Sequence, residues 1–342
     1  MEALSVDKIP AGAEWQYEPK WDGFRCIAFC NGKKIDLHSK SGQALGRYFP
    51  EVVTGLGELD AGNFVLDGEI VIPGNDGFSF DALLQRIHPA ASRVARLSKE
   101  TPAIFVVFDL LAFGNDSLLG KPLRERRKLL EKFSSKYFDK QNTVRLSPFT
   151  NEVSRAHKWL AKAGFVLDGI IAKRIDLPYM SGTRDGMQKI KNYRSADCVI
   201  GGFRYATGRR VVGSLLLGLY DRDGLLNHVG FTSGIAEAER KSLTAKLEPL
   251  IAPPGFTGSA PGGPSRWNTG KAAEWQPLKP VLVVEVSYDH ISGDRFRHGT
   301  RILRWRPDKK PKQCTMDQMK QQGTKTAELL TIPRKTLRKS SR

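Results

Sequence analysis

What this chain has little of narrows its function first. It holds four cysteines in 342 residues (Cys26, Cys30, Cys198 and Cys314), with no C-x-x-C pair and no histidine at zinc-ligating spacing. Neither a structural zinc nor a disulfide framework is therefore expected. Cys26 and Cys30 lie four apart in a strand-like run, on one face but too distant to bond, so buried free thiols are expected. No apolar run approaches the roughly 20 residues that cross a bilayer; those at 103–108 and 281–284 fall far short. The N-terminal residues lack the charged, apolar and small-residue order of a signal peptide, which points to the cytoplasm. Acidic residues are also scarce, 36 against 54 lysines and arginines, leaving a net charge of +18. An excess of that size suits a polyanionic partner, nucleic acid first among them. Part of it lies in a basic stretch at 334–339 near the C-terminus.

Apolar residues make up 40% of the chain, enough for two domains with a core each. Residues 1–194 alternate strand and helix patterns: a helix around 48–59, a strand at 64–72 and a helical stretch over 80–97. A strand at 104–111, helices at 123–133 and 152–163, and strands at 169–173 and 188–192 follow. From residue 195 to 320 the texture changes to short β-runs with glycine turns, interrupted by one helix at 236–247. Five such strands fit a small Greek-key barrel of OB type. The expected fold is α+β: an N-terminal domain of antiparallel sheets with flanking helices, a hinge at 193–197, a barrel, and a disordered basic tail over 321–342.

Several short segments carry chemistry. Lys20-Trp21-Asp22-Gly23-Phe24-Arg25 reads K-x-D-G-x-R and precedes a hairpin, with strands at 25–30 and 34–38 and Asn31-Gly32 as the turn. A lysine amine there can attack phosphorus if its proton is disfavoured and the phosphates are held. Asp67-Gly68-Glu69 sets two carboxylates inside an apolar strand. They suit a ligand hydroxyl or Mg²⁺, and equally ion pairs with nearby arginines. Phe108 precedes Asp109 at the end of an apolar strand, where an aromatic ring can stack on a purine or simply pack in the core. Asp168-Gly169-Ile170-Ile171-Ala172-Lys173 repeats the acid-glycine-apolar pattern. Lys189-Ile190-Lys191 puts two ammonium groups on one face of a strand, which suits a bound phosphate or a solvated edge. Arg304-Trp305-Arg306-Pro307-Asp308-Lys309-Lys310 is a dense basic cluster.

In this order the segments resemble the six nucleotidyltransferase motifs of ATP-dependent DNA ligases. Ser39-Lys40-Ser41-Gly42 stands as the second motif, and the likeness spans about residues 15–312. Glu18 to Arg25, Arg86-Ile87-His88-Pro89 and Ala196-Asp197-Cys198-Val199 are similar to the bacterial DNA ligase C and DNA ligase D group. The resemblance implies an ATP-grasp-like adenylation domain followed by an OB-fold, and sealing of 5′-phosphate and 3′-hydroxyl ends through lysyl-AMP on Lys20. Lys189 and Lys191 would act beside that lysine. Glu18, Trp21, Arg25, Glu69, Phe108, Lys173, Arg306 and Lys309 would hold ATP, Lys40 and Arg304 the DNA, and Glu69 with Asp168 the Mg²⁺ or Mn²⁺. Implied partners are nicked double-stranded DNA and Ku or other repair proteins, for a monomer at the bacterial nucleoid with no membrane contact. Two positions depart from the family pattern: Asp168 stands where Glu is usual, and Lys40 where Arg is usual. A capping-type guanylyltransferase or an RNA ligase would share the lysine motif, and a non-catalytic nucleic-acid-binding protein would share the barrel.

Overall fold

The computed structural model describes residues 1–74, 77–138, 143–162, 167–262 and 274–319. The expected basic tail lies outside them. The chain divides into two compact units, one spanning Met1–Asn192 and one beginning at Tyr193.

The first unit runs through β1 (Leu4–Ser5), β2 (Trp15–Lys20), β3 (Phe24–Asn31), β4 (Lys34–Ser39), α1 (Pro50–Gly57), β5 (Phe64–Val71), β6 (Pro73–Gly74) and β7 (Gly77–Phe78). It continues with α2 (Phe80–Arg86), α3 (Ala91–Glu100), β8 (Ile104–Phe113), β9 (Asp116–Ser117), α4 (Leu123–Tyr137), β10 (Val144–Leu146), α5 (Val153–Lys162), β11 (Gly169–Arg174) and β12 (Met187–Lys191). These strands build two main sheets, ordered β1-β12-β11-β2 and β10-β8-β5-β3-β4. The pairings are antiparallel as expected, except that β1 on β12 and β10 on β8 are parallel edges.

Period-two alternation decides what each face does. In the first sheet Tyr17, Ile170, Ala172 and Ile190 pack with Ala156 and Trp159 of α5. Glu18, Lys20, Ile171, Lys173 and Lys189 take the other face. In the second sheet Cys26, Ala28, Leu66, Ile70, Phe105 and Val107 enter the larger core with Leu130 and Phe133 of α4. Arg25 and Glu69, paired across β3 and β5, face the opposite way. All four cysteines are buried and free.

Two local readings are corrected. The helix expected over 80–97 is two helices, because Pro89 cannot donate a backbone hydrogen bond and biases His88 away from helical geometry. Arg86, just before the break, is fully buried and donates to the Tyr48 carbonyl at 2.9 Å and to Glu51 at 2.7 Å. The hairpin turn falls one residue later than expected: Asn31 pairs with Lys34, so Gly32 (φ +58°) and Lys33 form it. The boundary between the two units falls at Asn192–Tyr193, where the expected hinge begins, and residues 194–197 pair with 285–288 inside the second unit.

The second unit holds β13 (Arg194–Tyr205), β14 (Val212–Tyr220), β15 (Leu226–Thr232), α6 (Glu237–Leu247), β16 (Gln276–Pro277), β17 (Val283–Tyr288), β18 (Ile291–Ser292), β19 (Arg295–Phe296) and β20 (Arg301–Trp305). Five strands run in the order β15-β14-β13-β17-β20. Thr232 bridges to Thr300 where β15 ends and β20 begins, so the sheet closes on itself as an OB barrel.

Candidate active site

Register brings the chemistry together. Gly169 lies opposite Lys20 on one side and Lys191 on the other, so the preceding Asp168 meets both lysines. The Asp168 carboxylate contacts the Lys20 ammonium directly, and Lys191 lies 3.9 Å away. Glycine is required at 169: φ is +140°, and a Cβ would sit 1.9 Å from the Ile190 carbonyl oxygen. Gly23 of the lysine motif answers the same need, because a Cβ there would lie 2.2 Å from the Ile70 carbonyl oxygen. The two acid-glycine motifs thus let backbones close around the lysine.

Lys20 opens into a cleft of about 330 Å³. Glu18, Trp21, Arg25, Lys40, Glu69, Phe108, Lys173 and Lys189 line it, so the structure gathers eight further sequence-expected residues around the lysine. Lys189 is half-buried, and burial, then the charges of Lys20 and Lys191, lower its pKa. Buried Glu18 accepts from Lys173 at 2.8 Å and from Gln16 at 2.7 Å. The Lys173 ammonium lies 4.4 Å from the centre of the Phe108 ring, and the Arg25 guanidinium 5.6 Å from it. Trp21 is a wall of the cleft, its N–H donated to Ser147 and its ring edge-on to Phe78.

Phe108 reaches the cleft through an irregularity. Gly68 pairs with Val107 and Asp67 with Asp109, leaving Phe108 as the extra residue of a β-bulge. A bulge re-aims a side chain that strict alternation would have sent elsewhere.

The two carboxylates of Asp67-Gly68-Glu69 take different parts, one from each alternative left open by the sequence. Asp67 is fully buried and clamps Arg25 through two bonds of 3.0 and 2.6 Å, with the Tyr179 hydroxyl donating to it at 2.7 Å. Arg25 also donates to the Met1 carbonyl at 2.6 Å. Glu69 has no hydrogen bond or ion pair among the described residues. Burial pushes its carboxyl up to about 8, against the pull of Lys20 and Arg25. Such an unpaired carboxylate facing a cleft fits a divalent cation shared with phosphate oxygens. Asp168 is already engaged by two ammonium groups. No cluster of three or more metal-ligating side chains occurs among the described residues.

Sequence reasoning missed the mouth of the cleft. Glu2 and Arg184 line it, and Glu2 pairs with Lys40 at 2.9 Å and Arg184 at 3.6 Å. These contacts join the chain's first residues to two distant loops, and no local pattern announces them. Lys40, expected at the DNA, is part of this rim. In the second unit Arg306 and Lys309 both hold Asp197, at 2.8 and 2.9 Å, Arg306 also pairs with Asp308, and Arg304 pairs with Glu285 at 2.7 Å. Asp197, quoted only as part of a family-like stretch, is thus the anchor of the basic cluster.

A lysine held by a carboxylate in a cationic, nucleotide-sized cleft, followed in the chain by an OB barrel, defines a two-domain nucleotidyltransferase. Residues 4–191 match the model of the ATP dependent DNA ligase domain, and residues 208–309 that of the ATP dependent DNA ligase C terminal region. The chain belongs to the ATP-dependent DNA ligase family. It is 44% identical to DNA ligase C2 of Mycolicibacterium smegmatis, with 93% of each chain covered. It is 42% identical to DNA ligase C of Mycobacterium tuberculosis, covering 93% of this chain and 92% of that one. A solved structure of a Lig E DNA ligase, 16% identical, shares the fold with a TM-score of 0.55 over 90% of this chain and 100% of that one.

Proposed function

We propose that this protein seals nicks in double-stranded DNA, with Lys20 as the residue that carries AMP. The observation that supports this most is the placement of Lys20 between Asp168 and the Lys189–Lys191 face at the base of the cleft. The Lys20 Nζ lone pair attacks the α-phosphorus of ATP. An N–P bond forms, the bond to the bridging oxygen breaks, and pyrophosphate leaves with that electron pair. Asp168, in contact with the ammonium, accepts the proton that the amine must lose. Lys189 and Lys191 face the charge that grows on the α-phosphate. Phe108 and Trp21 border the base, while Glu18 and Lys173 form a buried pair beside it. Glu69 is the residue suited to hold Mg²⁺ or Mn²⁺, which when bound neutralises triphosphate charge.

AMP then passes to the 5′-phosphate at a nick, and attack by the 3′-hydroxyl releases it and joins the strand. Arg306 and Lys309 serve the pyrophosphate in this reading, which requires them to exchange Asp197 for phosphate oxygens. Lys40 and Arg304 contact DNA. In this reading the protein works as a monomer at the nucleoid, with Ku or other repair proteins as partners; co-purification with Ku tests that part.

The deciding experiment incubates the protein with ATP or GTP labelled at the α-phosphate, then runs a denaturing gel. A labelled band from ATP alone, absent in Lys20→Ala, is expected. A band from GTP would move the reading to capping chemistry. Absence of a band from either nucleotide, with mass spectrometry showing no AMP already attached, would end it.

A further inference from the structure

One short segment fastens together the two sheets that flank the cleft. Residues 147–150 follow β10, which lies parallel on β8 with Leu146 opposite Val107. The Ser147 N–H donates to the Val107 carbonyl at 2.8 Å, so the segment is still tied to the second sheet at that point. Three residues later the chain has crossed to the first sheet. The Thr150 N–H donates to the Tyr17 carbonyl at 2.9 Å, and its carbonyl accepts from the Tyr17 N–H at 2.8 Å. Val107 is the residue before Phe108, and Tyr17 is the residue before Glu18 on the strand that ends in Lys20. The segment therefore sets the spacing between the strand that carries the ring and the strand that carries the lysine.

Ser147 makes a further attachment, and this one reaches a side chain of the cleft. The serine is fully buried, and its hydroxyl accepts the Trp21 indole N–H at 3.0 Å. An indole nitrogen can only donate. Trp21 packs with Val71, Val106 and Leu167, and Ser147 is the one acceptor its N–H has among the described residues. Without that oxygen the ring would hold its place only with a buried, unpaired donor. Arg127 of α4 supports the segment from behind. Its Nη2 donates to the Ser147 carbonyl at 2.8 Å, and its guanidinium lies 4.4 Å from the centre of the Phe149 ring. Arg127 is buried, pairs with Glu131 at 3.5 Å, and leaves Nε and Nη1 without a hydrogen-bond acceptor. A buried cation with unmet donors is a cost to the fold, and the hydrogen bond this one does make goes to Ser147.

We propose that Ser147 is a positioning residue for adenylation. Its hydroxyl sets the Trp21 ring, and its backbone holds that ring at a fixed distance from the Phe108 bulge, so that the purine enters a preformed slot. The proposal rests on the reading of Lys20 as the residue that takes AMP from ATP. Ser147 itself is not among the residues that line the cleft. A preformed slot lowers the cost of ordering the side chains that receive a ligand. The serine therefore acts on ATP binding and leaves phosphoryl transfer at Lys20 unchanged.

The experiment follows single-turnover adenylation of the full chain, first freed of any AMP with pyrophosphate, across a range of ATP concentrations. Ser147→Ala should raise the ATP concentration at half-maximal rate about fivefold to tenfold, the low end of what stranding one buried donor costs. The maximal rate should stay within about twofold of wild type. Trp21→Phe has no N–H to strand, so adding Ser147→Ala to it should change nothing further. Ser147→Thr, which keeps the oxygen, should stay near wild type. Melting temperatures check the fold of each variant, and Ser147→Cys, which fills the same space with a poor acceptor, replaces Ser147→Ala if the latter does not fold. A purely structural serine would lower the melting temperature and leave the half-maximal concentration where it was, which would overturn the proposal. It would also fall if the rise were equal with tryptophan and with phenylalanine at position 21, or if only the maximal rate dropped. A wild type that takes no label and carries no AMP would instead overturn the adenylation reading itself.

Discussion

Arg25 belongs to the lysine motif, yet its geometry makes it first a counter-ion. Asp67 is 0% exposed, and its carboxylate receives the Arg25 fork at 3.0 and 2.6 Å and the Tyr179 hydroxyl at 2.7 Å. Arg25→Ala leaves that carboxylate buried with one neutral donor. Removing one partner of a buried pair costs about 3–5 kcal/mol, because the remaining charge keeps its desolvation penalty and loses its compensation. Asp67→Ala strands the guanidinium, but the Arg25 side chain is 22% exposed and keeps the Met1 carbonyl, so this loss should be the smaller of the two. Combining the two, Arg25→Ala with Asp67→Ala, should cost less than the sum of the single losses, since no charge is left behind. In a unit of this size each kcal/mol moves the melting point by roughly 2–4 °C, so Arg25→Ala should melt about 6–20 °C lower.

Urea titration of the four proteins in this cycle, with adenylation of Lys20 followed in parallel, tests the argument. The expected signature is strong positive coupling between the two sites. A cost for Arg25→Ala below about 1 kcal/mol, or a double variant as damaged as the sum of the singles, would refute it. Arg25 would then be free to act mainly on the nucleotide, as the family resemblance first suggested.

Phe108→Ala should raise the KM for ATP about tenfold with little loss of stability, because the ring stands on a bulge facing the cleft; pre-steady-state adenylation measures it. Lys309→Ala should slow adenylation while sparing sealing of a pre-adenylated nick, and equal damage in both assays would remove it from the pyrophosphate role. The third concerns acid. His228 has a folded-state pKa of about 3 against an ordinary 6.5, so the unfolded chain takes up a proton below 6.5 that the folded one refuses. Its contribution is present above that value and is lost as pH falls towards 3, about 2 kcal/mol at pH 5. The charges facing it are Arg204 and Arg295, neither of which titrates in that range. Urea titrations at pH 7.5 and 5 should show that loss in the wild type and a smaller one in His228→Asn. Identical pH dependence in the two proteins would show that His228 is not held neutral.

Much of the cleft was legible because its parts are local. A lysine, a carboxylate and a glycine at fixed offsets can be read directly, and the glycines at 23 and 169 carry a backbone requirement that only close approach explains. The strands were legible through their apolar runs, and alternation put Lys189 and Lys191 on one face. What escaped depends on pairing between segments far apart in sequence. Nothing in Asp67-Gly68-Glu69 says which carboxylate will meet Arg25, because the answer lies in the register of β3 on β5 and in a tyrosine more than a hundred residues away. Phe108 was singled out for its ring and its place at a strand end, but its access to the cleft comes from an extra residue that only the paired strand reveals.

The same reasoning explains why the two departures from the family pattern differ in weight. Asp168 follows Lys20 in space through the β2–β11 register, its own N–H donating to the Lys20 carbonyl at 2.9 Å. A side chain one methylene shorter than Glu still reaches the ammonium because the backbones are already in contact, so the change keeps the lysine's partner and shortens the reach towards a metal. Lys40 is exposed at the rim and tied to Glu2, where a single ammonium replaces a fork. Restoring the fork with Lys40→Arg should therefore leave adenylation unchanged and alter nick affinity alone, while Asp168→Glu should act on adenylation first. The reverse pattern, read from single-turnover adenylation and from anisotropy on the nicked duplex, would show that the rim serves the nucleotide and that Asp168 serves the DNA.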